Sequence, residues 1–140
     1  MFGLFCRKAP AKAPARRTGD YGEDRAAAYL RQHGLRIRAR NVQFEGREEI
    51  DLVAEDRRTR HFVEVKTRRQ LPDAESRFGT PMMAVTPEKR RHLLSAARRY
   101  TAAHPTRKAT QFDVVEVYLD PAAEVPTVLA VRHLQDAFRT

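Results

Sequence analysis

In the run Phe62-Val63-Glu64-Val65-Lys66-Thr67-Arg68 a carboxylate and an ammonium stand two residues apart in an otherwise apolar stretch. A period of two is that of a strand, so Glu64 and Lys66 project from one face about 6.6 Å apart, and Val63 and Val65 face the other way. The earlier run Glu49-Ile50-Asp51-Leu52-Val53 alternates in the same manner. As a neighbouring strand about 4.8 Å away, it turns Asp51 toward Glu64 and Lys66 and sends Ile50 and Leu52 to the side of the valines. Two carboxylates placed in this way suit a hard divalent cation, Mg²⁺ or Mn²⁺, which takes oxygen ligands and leaves positions for water and phosphate. Such a cation lowers the pKa of bound water and neutralises charge that builds on a phosphoryl group. Lys66 is then placed to orient the water or to stabilise the same charge. The competing reading is an ordinary Glu64–Lys66 ion pair on the wet face of an antiparallel strand. Against it stand the apolar character of the strand, the matching Asp51 and the scarcity of lysine.

That scarcity belongs to the charge pattern as a whole. The 140 residues carry 27 Lys and Arg against 18 Asp and Glu, a formal charge of +9, and 22 of the 27 are Arg. A pI near 10.4 points to a polyanionic partner such as nucleic acid. One cysteine, Cys6, excludes an internal disulfide and a Cys-based zinc site and suits a reducing, cytoplasmic setting. The five histidines have no metal-ligand spacing and read as surface or boundary residues. No Ser-His-acid arrangement or Gly-x4-Gly-Lys loop is present, and no apolar run is long enough to span a membrane.

The elements that must position these groups fit one domain. Residues 1–18 read as a disordered basic arm, and residues 19–140 as the folded domain. A helix capped by Asp20 runs to Gly34. Leu35 to Arg40 alternates as a strand with one basic face made by Arg36, Arg38 and Arg40. Glu49–Glu55 and His61–Arg68 form a hairpin, and Arg69 to Val85 is a long loop. Thr86-Pro87-Glu88 opens a second helix. Gln111–Leu119 and Pro126–Val131 are further strands, followed by a terminal turn at Leu134–Phe138. The order implies an α/β or α+β sheet with helices packed on it and leaves several topologies open.

Gly22-Glu23 opening a small-residue helix, Glu49-Ile50-Asp51-Leu52-Val53, Phe62 to Arg68, Phe78-Gly79, Val85 to Lys89 and Phe112-Asp113-Val114-Val115 together resemble the bacterial YraN family. That family looks like the PD-(D/E)xK restriction-endonuclease superfamily, near the archaeal Holliday-junction resolvases. The resemblance implies an α/β, restriction-endonuclease-like fold, a mixed central sheet of about five strands flanked by helices. It implies Asp51 and Glu64 as metal ligands, the Val65 carbonyl as a further ligand, Lys66 as the catalytic lysine, and Glu23 as an acidic residue that the first helix contributes. Two positions depart from the family pattern: Glu48 replaces the usual glycine before Glu-Ile-Asp, and Gln111 replaces the usual arginine before Phe-Asp. The expected activity is metal-dependent hydrolysis of DNA, branched or single-stranded forms included, by a chain that resolvase-like enzymes suggest is a homodimer. Arg36, Arg38, Arg40, Arg68, Lys89 and Arg90 are the expected phosphate contacts. The alternative is a nucleic-acid-binding module without catalysis. RNA ranks below DNA, because Trp is absent and Phe44, Phe62 and Phe112 are expected in the core.

Overall fold

The computed structural model describes residues 14–72 and 85–139. The chain order is α1 (Pro14–Gln32), β1 (Arg36–Gln43), β2 (Glu49–Glu55), β3 (Thr59–Arg69), α2 (Pro87–Ala103), β4 (Ala109–Leu119) and β5 (Val128–Phe138). The strands make one sheet in the order β1-β2-β3-β4-β5. Neighbours pair antiparallel except β3 and β4, which are parallel. A parallel pair needs a crossover, and α2 lies within it. The fold is α/β, a five-stranded mixed sheet flanked by two helices.

Each helix covers one face. Ala26, Ala27 and Leu30 of α1 are buried against Leu52, Ala54, Val63, Val115, Val117 and Leu119. Leu93, Ala96, Ala97 and Tyr100 of α2 pack against Ile50, Val53, Phe62, Phe112, Val114 and Phe138 on the other. Small residues in α1 bring helix and sheet close. A Cβ built on Gly22 would lie 1.9 Å from Thr67 Oγ1, with Thr67 Cβ and Cγ2 at 3.0 and 3.1 Å. Glycine is therefore the residue that fits there.

Local chemistry sets the helix ends. Thr86 caps α2 by accepting the Lys89 N–H at 3.1 Å, and Pro87 follows at the first helical position. At the end of α1 the Leu35 N–H donates to Leu30 O and the Gly34 N–H to Arg31 O, with Gly34 at φ 89°. This is the Schellman arrangement, which needs a left-handed residue. The start of α1 departs from expectation: the helix begins at Pro14, and Asp20 lies within it rather than capping it. Proline tolerates the first turn because its missing N–H would lack a partner there anyway. Pro14–Thr18 thus belong to the helix and not to the expected arm, whose residues 1–13 lie outside the described residues. Residues 73–84 of the expected loop, including Phe78-Gly79, lie outside them too.

The terminal turn is also corrected, since β5 continues to Phe138. Asp136 adopts φ 53° and donates its N–H to Asp113 Oδ1 at 2.9 Å, where the register with β4 shifts between Phe112 and Val114. A bulge absorbs the irregularity and the strand resumes. Phe138 then stacks on Phe112 with ring centroids 5.1 Å apart.

One buried charge group ties hairpin to crossover. Glu55 accepts from Arg60 Nε at 2.7 Å and from Lys108 Nζ at 3.0 Å. The Arg60 guanidinium lies over the Tyr100 ring and donates to His104 O at 2.6 Å. Burial opposes charge on Glu55, but Arg60 and Lys108 outweigh it and hold the carboxyl below its ordinary range.

Candidate active site

The site is made where the sheet splits. β2 and β3 pair from Glu55↔Arg60 as far as Leu52↔Val63, whereas β2 stays paired with β1 through Val42↔Ile50 and Gln43↔Glu49. Beyond Leu52 the hairpin strands separate. The Val65 N–H, which a continuing ladder would bind to backbone, instead donates to Asp51 Oδ2 at 2.9 Å. The alternation along β2 breaks at the same place: Ile50 joins the α2-side core, Leu52 the α1-side core. Ile50 therefore does not face the way of Leu52, Val63 and Val65, as strict alternation would have it. On the adjacent β1, Asn41 takes up φ 51°, a left-handed conformation that lets both strands turn together.

Asp51 thus sits between the layers and feels both helices. Burial raises its pKa most, the charge of Glu64 next; the Val65 N–H opposes the rise, Glu23 on α1 adds to it, and Lys89 on α2 lowers it. The net effect pushes Asp51 up to about 8. Glu23 is raised as well, chiefly by burial and against a hydrogen bond from Asn41, with Glu49 among the charges near it.

Cations meet these acids from two elements. Lys66 Nζ is 3.3 Å from Glu64 Oε2. Lys89 Nζ, in the first turn of α2, is 3.6 Å from Glu49 Oε1 and 3.8 Å from Glu64 Oε1. Neither cation satisfies the whole group, because Glu64 Oε1 and Glu23 Oε1 are buried with no hydrogen-bond partner among the described residues. Buried acceptors of this kind are costly unless something else binds them. The donors are all oxygen, which suits Mg²⁺ or Mn²⁺ better than a softer ion. Asp51, Glu64 and the Val65 carbonyl are the groups that would hold it, and Glu23 acts on Asp51 through its charge. Lys89, expected as a phosphate contact, and Glu49, which sequence reading did not single out, both stand beside this pair. Lys89 carries no signal of that role because it reaches Glu64 from another element, 25 residues further along the sequence.

The six expected phosphate contacts do not share one face. The register of β1 with β2 shifts between Ile37 and Ala39. Arg36 and Arg38 therefore lie toward Glu55, with Arg38 Nε 3.6 Å from its carboxylate. Arg40 is turned to the α1 side and pairs with Asp24 of that helix. The alternation predicted one basic face; the bulge divides it. Arg90 donates to Val85 O at 3.3 Å. Arg68 lies near the candidate site, its Nε 3.5 Å from Glu116, which also holds Arg132 at 3.8 Å. Lys66 is opposite Glu116 in the β3–β4 register, so Lys66, Arg68 and Arg132 continue one basic row from the acidic pair. Arg132 escapes the sequence reading because that reading ends the last strand at Val131, whereas β5 runs to Phe138. Of the two departures in sequence, Glu48 pairs with Arg99 at 3.1 Å and Gln111 donates to Asp113 Oδ1 at 3.0 Å.

Among the described residues no helix is long and apolar enough to cross a membrane. Residues 22–117 match the model of the family described as Uncharacterised protein family UPF0102. The chain is similar to UPF0102 protein STH1475 of Symbiobacterium thermophilum, at 44% identity over 89% of this chain and 98% of that protein. It is also similar to UPF0102 protein Cphamn1_0017 of Chlorobium phaeobacteroides, at 41% identity over 71% of this chain and 75% of the relative. A third relative, UPF0102 protein RSc3265 of Ralstonia nicotianae, is 41% identical over 78% of this chain and 83% of its own length. Candidate acidic pair, lysine and strand fork all fall within the matched span, and the chain belongs to the UPF0102, or YraN, family.

Proposed function

We propose that this protein is a Mg²⁺- or Mn²⁺-dependent nuclease that hydrolyses DNA phosphodiester bonds. The observation that carries the reading is the buried Glu64 Oε1, without a hydrogen-bond partner among the described residues, beside Asp51, whose carboxyl is pushed toward neutrality at a fork in the sheet. A divalent cation there would relieve the repulsion and supply an activated water and a counter-charge for the phosphoryl group. Asp51 and Glu64 would hold it, and Lys66 would hold a proton-donating ammonium against the scissile phosphate. Arg68 and Arg132 extend the basic row along which a phosphate backbone can lie. Burial of Phe62 and Phe112 removes them as stacking platforms and favours DNA over unpaired RNA. Acting on a two-fold branched substrate, the chain would work as a homodimer.

The test is cleavage of labelled duplex, single-stranded, flapped and four-way-junction DNA with Mg²⁺ or Mn²⁺, with Lys66→Ala and Asp51→Ala beside the parent. Metal-dependent cutting of one substrate that both variants abolish is the expected result. Equal cutting by parent and variants would refute the assignment.

One observation favours a second reading, a nucleic-acid-binding module without catalysis. Lys66 and Lys89 already bracket Glu64, so part of its charge is met from within the chain. In that case salt-sensitive DNA binding persists in Asp51→Ala, and neither protein cuts.

A further inference from the structure

Three strands bring together side chains that no sequence spacing connects. His61 of β3, Asp113 of β4 and His133 of β5 are the one group among the described residues in which three donor atoms, two imidazole nitrogens and a carboxylate oxygen, all lie within 4.8 Å of one another. His61 Nδ1 is 2.6 Å and His133 Nε2 2.7 Å from the same atom, Asp113 Oδ2. Asp113 is 0% exposed and His61 is 2% exposed. Two histidines expected at the surface or its boundary are therefore directed inward at one buried oxygen.

We propose that His61 Nδ1, Asp113 Oδ2 and His133 Nε2 form a binding site for one late first-row divalent cation, with Zn²⁺ as the natural occupant. This site is separate from the acidic pair and does not depend on the nuclease reading. His61 shares its strand face with Val63, and His133 is opposite Val115, both valines belonging to the α1-side core. Glu64, one residue on from Val63, faces away from them.

Four observations support the assignment. The donor set, two imidazoles and one carboxylate, is chemically that of zinc and its neighbours and unsuited to Mg²⁺. The carboxylate is oriented in advance, because Oδ1 is occupied by the Asp136 N–H at 2.9 Å and Gln111 Nε2 at 3.0 Å. That leaves Oδ2 to the two rings. His61 also carries the outer partner that metal-bound histidines commonly have: its Nε2 is 3.4 Å from Asp56 Oδ2. Asp56 is itself fixed, its Oδ1 accepting the Arg58 and Thr59 N–H groups at 2.8 Å each. Finally, all three donors stand on paired strands, so their backbones are held in place before any ion arrives and only the side chains need adjust.

In the metal-free state the two ring nitrogens can face Oδ2 only as protonated donors. A cation at about 2.0–2.2 Å from each donor would replace both protons. Tetrahedral geometry at that reach separates ligand atoms by about 3.3 Å, so each ring needs to withdraw by roughly 0.6 Å. Such a movement is within side-chain adjustment. The bound ion would clip β5 to β3 across β4, and a fourth position would fall to water.

The whole 140-residue chain, stripped with chelator, is titrated with Zn²⁺ against a chromophoric competitor, and with Co²⁺ to read its visible absorption. One equivalent of tightly bound Zn²⁺ and a tetrahedral Co²⁺ spectrum are expected. Both should survive in Asp51→Ala and weaken by at least about tenfold in His133→Gln. Absence of stoichiometric binding, or unchanged affinity in His133→Gln, overturns the proposal. Should His133→Gln fail to fold, imidazole nitrogen NMR of the parent decides: Zn²⁺ must shift His61 Nδ1 and His133 Nε2 together. A shift confined to other histidines, or none, also overturns it.

Discussion

Replacing Asp51 with asparagine should stabilise the metal-free protein while abolishing its proposed activity. The amide keeps an oxygen that can accept the Val65 N–H, and it removes a charge that burial and Glu64 oppose. In the folded chain the Asp51 pKa rises from its ordinary 3.8 to about 8. A raised pKa means that folding is favoured while both states hold the proton, and that this contribution fades as pH climbs through the folded value. It is thus fully present below 3.8, declines between 3.8 and 8, and is lost above that window. At about 1.4 kcal/mol for each tenfold change in proton affinity, the upper limit is roughly 6 kcal/mol. Water entry and local relaxation reduce this, and we expect about 2–3 kcal/mol. The assay is urea unfolding of parent and Asp51→Asn in chelator, below pH 3.8 and near pH 8. The variant should gain stability at the higher pH and match the parent at the lower. Millimolar Mg²⁺ should then raise the parent's midpoint and leave the variant's unchanged. A variant less stable than the parent near pH 8, or an offset that is the same at both pH values, would refute the reasoning.

Other outcomes follow from the same geometry. Gly22→Ala should destabilise the fold by about 2–3 kcal/mol, because rotating Thr67 moves its γ atoms but leaves its Cβ 3.0 Å away; Thr67→Ala should restore part of the loss in a double-mutant cycle read by thermal unfolding. Arg60→Met should cost about 3 kcal/mol in denaturant titration, since it leaves the buried Glu55 with fewer partners. Because Glu55 has a lowered pKa, its contribution is present above the unfolded carboxyl value and is lost as pH falls through the folded one, so acid unfolding of the parent should be steeper than that of Arg60→Met. Lys66→Ala should reduce DNA cleavage by at least about 100-fold, measured in single turnover, and lower the salt slope of DNA binding by about one.

Much of the architecture was legible from periodicity. The hairpin, the capped second helix and the valine-rich β4 all lie near their expected positions, because alternation, Thr86-Pro87 and the Asp56 turn act within a few residues. The features that escaped depend on exceptions to period two. A bulge at Arg38 divides the basic face, a left-handed Asp136 carries β5 past its expected end, and the break at Asp51 reverses Ile50. None has an obligatory residue, since Asn41 and Asp136 adopt positive φ without being glycine. The Glu64–Lys66 pair was visible because it is local. Lys89, Glu49 and the His61–Asp113–His133 group were not, because the pairing of distant strands and the crossover helix bring them together.

The parallel pairing of β3 with β4 also governs how the molecule assembles. Thr59 meets Ala109 and Arg69 meets Leu119, so each contact in this ladder closes a loop of 50 residues. Loops of that size form slowly compared with hairpins or single helices. The hairpin that carries Asp51 and Glu64 can form early, but α2 and its Lys89 arrive only when the crossover docks. Between those events the acidic pair would face solvent without its lysine from the helix. Cations in the medium at that stage would therefore influence the rate of folding as well as the final stability. Refolding in Mg²⁺ should be faster than in chelator, with the difference confined to the phase in which β4 joins the sheet.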